Sequence, residues 1–343
     1  MKIIVCSSKV PFIRGGNEIV IEWLLQELKK RGHDVEEISI PLIWKKEEDV
    51  IKTYLIWRLL NLNESLEISS DLIIGTKFPS YVARHKNKVI WLFHQFRQIY
   101  DWVGTELGYS CDNVPQLDTR EKIFKMDNQA FREAKKIFAI SKNVANRLKK
   151  FNNTEAEVIY PIPPNKQKYE CKDYGDYILH VGRLERNKRV DLIIEAVKNI
   201  PSSIKLIITG DGTEKKALQE KVTKYGMDNK VKFVGWVDYD RLLQLYAEAY
   251  AIIFTAYDED YGLVIPEAFL SKKAIITLTD SGGAVELVKN DETGIVCSPN
   301  AESLADGINR AILNKNKIIE MGNNGFQIVN NLSWDYIINK LIS

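Results

Sequence analysis

The residues best placed to do chemistry lie in one run, YDEDYGLVIPEAF, residues 257–269. Its two glutamates, Glu259 and Glu267, flank a glycine and a short apolar stretch. The run follows AIIFTA (251–256), which reads as a buried strand, and passes into EAFLSKK, which reads as helix. Glu259 is therefore expected on a loop at the carboxyl end of a strand, and Glu267 in the first turns of the next helix. Open α/β sheets bind ligands at that edge, and a helix start there offers free backbone N–H groups to an anion. Hydroxyl acceptors beside an anion site suit a sugar nucleotide.

A second run, HVGRLERNKRVDLIIEA (180–196), supplies the cations. A strand ends at Gly182, and Arg183 and Lys188 follow near the start of a helix. Two fixed cations with backbone donors make a diphosphate site; the alternative is a pair of solvated loop charges. In TGDG (209–212), Gly210 ends the next strand, and either lets backbone approach a ligand or forms a plain turn. Gly235, Trp236 and Val237 end the third strand of the series and could line a nucleobase pocket, with Trp236 otherwise a core or lid residue. Gly282 and Gly283 precede a helix carrying Glu286, and offer N–H groups to an anion or only a tight turn.

The N-terminal half carries fewer such signals. Gly15 and Gly16 in PFIRGGNEIV (11–20) separate the first strand from the first helix without the GxGxxG pattern, which disfavours a nicotinamide cofactor. His94 ends KVIWLFH (88–94), where it could hydrogen-bond a sugar hydroxyl or orient an acceptor, or be structural. His180 reads as core, and His33 and His85 as surface. No His/Asp/Glu cluster has metal-ligand spacing, and no acidic pair ends a strand in this half to hold a metal-bound diphosphate. Arg183 and Lys188 would take over the metal's neutralising role. No nucleophile elbow is visible.

The elements that must position these groups alternate strand and helix. The first set of strands is 2–7, 34–40, 71–76, 88–94, 135–141 and 156–160; the second is 176–182, 204–210, 230–235, 251–256, 274–279 and 294–298. Nearly continuous apolar strands between helices predict parallel sheets covered on both faces. The Pro-rich, charged segment PIPPNKQKYE (161–170) reads as a linker. The expected fold is α/β, with two Rossmann-like domains whose parallel sheets face across a cleft. The boundaries are 1–165 for an acceptor domain and 166–331 for a donor domain, with a C-terminal helix at 332–343 rejoining the first.

At 343 residues, 45% hydrophobic and 27% charged, the chain suits two soluble domains. A net charge of +2 argues against a nucleic-acid partner, although the N-terminal half is mildly basic. Four scattered cysteines without a CxxC pair fit reduced thiols in a cytoplasmic protein. The N-terminus reads as a strand, not a signal peptide, and no run approaches the roughly 18 apolar residues of a membrane span.

Together VGRLERNK, the GDG turn, DEDYGLVIPEAF and SGGAVELVKNDETGIVC, in this order and spacing, resemble the family 4 glycosyltransferases, retaining enzymes of the GT-B fold. KKIFAISKNVANRL (135–148) followed by EVIYPI also resembles the end of that family's N-terminal domain. The subgroup it resembles includes bacterial and archaeal mannosyltransferases of surface-polysaccharide pathways. The resemblance implies that Arg183 and Lys188 hold the donor diphosphate, with Gly182 and Gly210 in the donor site. It implies that Glu259 contacts the transferred sugar, that Glu267 binds ribose hydroxyls, and that N–H groups of Tyr261, Gly262, Leu263 and Val264 support sugar and phosphate. Gly16 would approach the diphosphate, and His94 would sit at the acceptor and donor-sugar side. Two departures are His180, where an aromatic or aliphatic residue is usual, and Pro266, near which the helix is expected to start.

The implied activity is metal-independent, retaining hexosyl transfer from a nucleoside-diphosphate sugar to a glycan or lipid-linked acceptor. GDP-mannose is the first expectation and a UDP-sugar the second. No cofactor is implied, the nucleotide sugar being a substrate. The stretch 42–62 either packs as an ordinary helix or makes a peripheral contact with the inner face of the membrane. The alternatives are a GT-B sugar-nucleotide epimerase or phosphorylase, and a non-catalytic sugar-nucleotide-binding subunit.

Overall fold

The computed structural model describes residues 1–44, 46–65, 68–201 and 203–343; Lys45, inside the 42–62 stretch, together with Leu66, Glu67 and Ser202, lies outside the described residues. The chain divides into two units, Met1–Pro161 with Trp334–Ser343, and Ile162–Ser333.

In the first unit the strands are β1 (Lys2–Lys9), β2 (Asp34–Pro41), the two-residue β3 (Glu64–Ser65) and β4 (Ile68–Ser69), β5 (Leu72–Gly75), β6 (Lys88–Leu92), β7 (Lys136–Ala139) and β8 (Glu157–Val158). Six of them form one parallel sheet in the order β2-β1-β5-β6-β7-β8, and β3 pairs antiparallel with β4. β5 and β6 are buried along their whole length, as strands covered on both faces must be. The helices are α1 (Gly16–Lys30), α2 (Glu47–Leu59), α3 (Val114–Arg132) and α4 (Lys142–Asn152). α3 begins six residues before the 120 read from sequence. There the Asn113 side chain accepts from the Gln116 N–H at 3.1 Å, and Pro115 fills a position whose N–H no helix uses.

The last helix, called α11 (Trp334–Ile342) for its place in the chain, packs on this unit. It buries Trp334, Ile337, Ile338 and Leu341, with Trp334 edge-on to Trp91 at 6.1 Å. Arg31 bridges Glu27 and Asp335, and Lys340 pairs with Glu157 at 2.7 Å. The exposed contacts of Asp335 and Lys340 add little; the apolar face holds the helix.

The second unit has strands β9 (Tyr177–Val181), β10 (Lys205–Thr209), β11 (Val231–Gly235), β12 (Ala251–Phe254), β13 (Ile275–Leu278) and β14 (Gly294–Cys297). Its helices are α5 (Val190–Val197), α6 (Lys215–Lys224), α7 (Tyr239–Glu248), α8 (Val264–Leu270), α9 (Ala301–Leu313) and α10 (Lys315–Asn330). The sheet is parallel in the order β11-β10-β9-β12-β13-β14. One face carries Ile178, Leu206, Ile208, Ile253 and Ile276 into a core shared with α5, α6 and α9. Numbered from its first strand, the order is 3-2-1-4-5-6, so the winding reverses between β9 and β12. Connections leave the two strands to opposite sides, which opens a crevice beyond their carboxyl ends.

α8 starts at Val264, before Pro266, and ends at Leu270, so Lys272 and Lys273 lie beyond it. Pro266 is the third residue of the helix, where a missing N–H removes no intrahelical bond. His85 is buried rather than at the surface: its Nε2 meets Ser70 Oγ at 3.1 Å and its Nδ1 the Asn87 backbone. The cysteines are all free, with Cys6 and Cys297 buried and Cys111 exposed.

Replacing Trp334 by Ala leaves a void against Trp91. It should cost about 3–5 kcal/mol, read as an earlier urea midpoint followed by Trp fluorescence. An unchanged midpoint would mean that α11 does not seal this unit.

Candidate functional site

The crevice between β9 and β12 gathers the predicted charges of the second unit. After β9 the chain makes a single 3-10 turn, Arg186–Lys188, before α5. After β12 it runs through Thr255–Asp260 to α8. Lys188 Nζ meets Glu259 Oε2 at 2.5 Å, with both side chains largely shielded from water. Two residues 71 apart in sequence thus form one ion pair across the reversal point. Arg183 lies exposed at the end of β9 and makes no ion pair among the described residues. The two cations therefore differ: one is held by the loop that faces it, and the other is free to meet a ligand.

Three further residues hold this arrangement and were not singled out from the sequence. Thr255 Oγ1 donates to the Lys188 carbonyl at 2.8 Å. Arg189 forks onto Asp280 at 2.7 and 2.8 Å, and its Nε–H donates to the Thr255 carbonyl at 2.7 Å. The Tyr257 N–H donates to the Asn187 carbonyl and the Asp258 N–H to that of Asp280, both at 2.8 Å. Loops after β9, β12 and β13 are thereby stitched together. A local signal existed only for Arg189, which follows Lys188 directly.

The glycines serve this stitching. A Cβ on Gly210 would stand 1.9 Å from the Gly182 carbonyl oxygen, and the Gly210 N–H is engaged with the Gly235 carbonyl at 2.7 Å. Gly210 thus brings neighbouring loops together instead of presenting a free donor. Gly283 corrects the anion expectation in the same way: its N–H donates to the Glu259 carbonyl at 2.7 Å. Cβ atoms on Gly282 and Gly283 would come within 2.5 Å of the Glu259 and Asp260 carbonyl oxygens. Trp236 and Val237 follow Gly235 at the end of β11; Trp236 is 76% exposed and is not a core residue.

Glu267 lies in the first turn of α8, buried, with Tyr246 donating its hydroxyl to Oε2 at 2.8 Å. Burial pushes its carboxyl up to about 7, against the lowering effect of the Tyr246 and Tyr169 hydroxyls. Tyr261 is buried beside it in sequence, and the N–H groups of Gly262, Leu263 and Val264 precede the first intrahelical bonds of α8. His180 is buried as expected, with neither ring nitrogen hydrogen-bonded. Burial, with the Lys188 charge second, pushes its pKa down to about 4, so it is a neutral ring.

Gly16 and His94 belong to the first unit. Gly16 opens α1, whose Glu18 accepts from the Gly15 N–H at 2.9 Å and pairs with Lys77 at 2.6 Å. This buried pair, just past β5, was also missed from sequence. Lys77 and the Gly15 N–H bring the Glu18 carboxyl below its usual range although burial works against them. His94 follows β6; its Nδ1 lies 2.9 Å from the Gln95 carbonyl and its Nε2 3.0 Å from Asn17 Nδ2. A carbonyl can only accept, so Nδ1 carries the proton and Nε2 accepts.

The comparisons with known proteins agree with this geometry. Residues 162–328 match the family described as glycosyl transferases group 1. An uncharacterized glycosyltransferase of Methanocaldococcus jannaschii is 23% identical over 97% of this chain and 94% of its own. An O-antigen chain mannosyltransferase of Salmonella typhimurium is 28% identical over 52% of this chain and 54% of its own. The crystal structure of Anabaena HepE in complex with UDP-glucose superposes with a TM-score of 0.73 at 19% identity, over 98% of this chain and 97% of that one. Two parallel, helix-covered sheets, a reversal-point crevice with paired charges and these likenesses converge: the chain is a glycosyltransferase of the GT-B fold, and its second unit is similar to the group 1 family.

Proposed function

We propose that the protein moves a hexose from a nucleoside-diphosphate sugar to a glycan or lipid-linked hydroxyl, with retention and without a metal ion. The observation that carries this reading is the Lys188–Glu259 pair at the reversal point, with Arg183 beside it. Charge develops on the departing nucleoside diphosphate, and fixed cations offset it in the place of a metal. Glu259, held by the same ammonium, faces hydroxyls of the sugar, and Glu267 takes those of the ribose. An acceptor hydroxyl held on the face the phosphate leaves gains from proximity. A phosphate oxygen of the leaving group takes its proton, so the enzyme supplies no nucleophile. GDP-mannose is the first candidate donor, supported by the likeness to the Salmonella mannosyltransferase. A UDP-sugar is the second, supported by the likeness to the UDP-glucose-bound Anabaena protein.

A peripheral membrane contact fits the first unit. Phe12, Ile13, Ile43 and Trp44 are all exposed. The Leu42 N–H bonds the Lys9 carbonyl, which sets the loops after β1 and β2 side by side. Exposed aromatic and aliphatic side chains gathered on two neighbouring loops suit an interface with lipid. No helix of the described chain is long and apolar enough to cross a membrane.

A thermal-shift screen of nucleotide sugars identifies the donor. With it, Arg183→Ala and Lys188→Ala should each cut transfer at least about 10²-fold while the fold survives; full turnover in either variant would sink the assignment. EDTA should leave the rate unchanged, and a strict requirement for a divalent ion would contradict the metal-free reading. Epimerised donor in the absence of any acceptor would favour the epimerase alternative.

The Glu267 carboxyl gives a pH dependence of definite sign. Its pKa is about 7 in the free protein, and hydroxyl donors of a bound ribose lower it. Donor affinity is then full above pH 7 and weakens by roughly fivefold from pH 7 to pH 6. The diphosphate of a nucleotide sugar has no group titrating there, so calorimetry at the two values reads Glu267 directly. Glu267→Gln should abolish the slope; an unaltered slope would remove the carboxylate from the donor site. In a sedimentation assay with anionic vesicles, wild type should pellet and Phe12→Ser/Trp44→Ser should remain in the supernatant. Equal distribution of the two would dismiss the lipid contact.

A further inference from the structure

The loop that carries Arg183 and Lys188 ends in a further cation, Arg189, whose side chain is held by Asp280 and the Thr255 carbonyl. Its backbone is left-handed, at φ 51°. A long side chain rarely adopts that conformation, and such strain persists where the surroundings over-determine it. Here they do. The guanidinium forks onto Asp280 beyond β13 at 2.7 and 2.8 Å, and its Nε–H donates to the Thr255 carbonyl beyond β12 at 2.7 Å. It also lies 5.5 Å from the centre of the Tyr257 ring. Both side chains of the ion pair are more than two-thirds shielded from solvent, so this is not a loose surface pair.

The residues tied down are the ones around Lys188. The Asn187 carbonyl accepts from the Tyr257 N–H, and the Lys188 carbonyl from Thr255 Oγ1, each at 2.8 Å. Asp280 in turn accepts, through its backbone carbonyl, from the Asp258 N–H at 2.8 Å. Glu259 is the next residue. Arg189 therefore links the backbone on which the Lys188 side chain starts to the loop on which Glu259 starts. The Tyr257 N–H and Thr255 Oγ1 hold the turn on its β12 side, and the Arg189 fork onto Asp280 ties it toward β13.

We propose that Arg189 is a positioning residue for transfer: through Asp280 and Thr255 it fixes the 186–189 turn, and so holds the Lys188 ammonium where the donor diphosphate meets it. The proposal rests on the reading of Lys188 as the diphosphate cation. The role needs the planar fork, which a lysine cannot supply, so it is separable from charge alone.

The test is calorimetric binding of UDP and GDP against UMP and GMP. Wild type should bind one diphosphate more tightly than its monophosphate, and Lys188→Ala should lose that difference. Arg189→Lys and Asp280→Asn should each lose roughly tenfold or more of it, since displacements of about 1 Å weaken such contacts on this scale. Arg189→Lys in a Lys188→Ala background should bind no worse than Lys188→Ala alone. Arg189→Gly accepts the left-handed backbone without strain, and should fold while binding diphosphate as weakly as Arg189→Lys.

Two results would overturn the proposal and leave the Lys188 reading standing. In the first, the Arg189 and Asp280 variants bind like wild type while Lys188→Ala does not. In the second, their losses fall equally on the monophosphate or add to that of Lys188→Ala. Wild-type binding in Lys188→Ala, or no preference for either diphosphate in wild type, would remove the Lys188 reading and the proposal together.

Discussion

The donor edge of the second unit depends on one ion pair, Lys188 with Glu259 at 2.5 Å, set where the strand order reverses. β9 and β12 are neighbours in the sheet, but their connections leave to opposite sides, so the two loops meet beyond the strand ends, through this ion pair and through the Tyr257 N–H on the Asn187 carbonyl. Near a surface such a pair attracts by about 4 kcal/mol, and most of that is cancelled by stripping water from both ions. The pair consequently adds little stability. What it gives is a located charge: the ammonium already stands in the crevice, partly dehydrated, before any ligand arrives. On the proposed reading, an incoming diphosphate would meet a cation whose ordering cost has largely been met in folding.

A located charge is useful only if its backbone is also located, and the glycines provide this. Gly210 lets the β10 loop lie against the Gly182 carbonyl, and Gly282 with Gly283 lets the β13 loop lie against the carbonyls of Glu259 and Asp260. In both places backbone touches backbone with no side chain between. The glycine signature of this edge thus comes first from loop-on-loop packing. Ligand contact, if any of these glycines makes it, follows from the shape that packing creates. Sites held by rigid, mutually packed elements keep the sub-ångström placement that charge stabilisation requires.

The sequence made the strands of the parallel sheets legible, because continuous apolar runs between turn residues leave few alternatives, and all twelve of them form within a few residues of their expected places, whereas the short β3–β4 pair was not foreseen. It also exposed Arg183, Lys188, Glu259 and Glu267, since each stands at a strand end or helix start. Pairings between them were not legible. Lys188 and Glu259 are 71 residues apart, Arg189 and Asp280 are 91, and Glu18 and Lys77 are 59. No local periodicity encodes such distances; only the strand order brings them together. The errors have the same origin. His85 looked like a surface residue because its neighbours are polar, and the fold buries it against Ser70. Gly283 looked like an anion donor because its turn resembles one, and its N–H is taken by Glu259, 24 residues earlier.

The two glutamates of the 257–269 run show how far environment separates groups of one chemical type. Glu259 stands against the Lys188 ammonium, which fixes the place of its carboxylate. Glu267 is enclosed with Tyr246 and pairs with no cation among the described residues, so burial dominates and pushes its carboxyl pKa up to about 7. A raised carboxyl in a crevice is the usual mark of a general acid, but its surroundings here argue for another use. The Tyr246 hydroxyl donates to Oε2, and α8 keeps the side chain in its first turn, so the group is oriented for accepting hydrogen bonds. Every further hydroxyl that donates to it stabilises the anion and drives off the proton. On the proposed reading, Glu267 would thereby couple recognition of ribose hydroxyls to its own ionisation, and the enclosure that makes it look catalytic would make it selective.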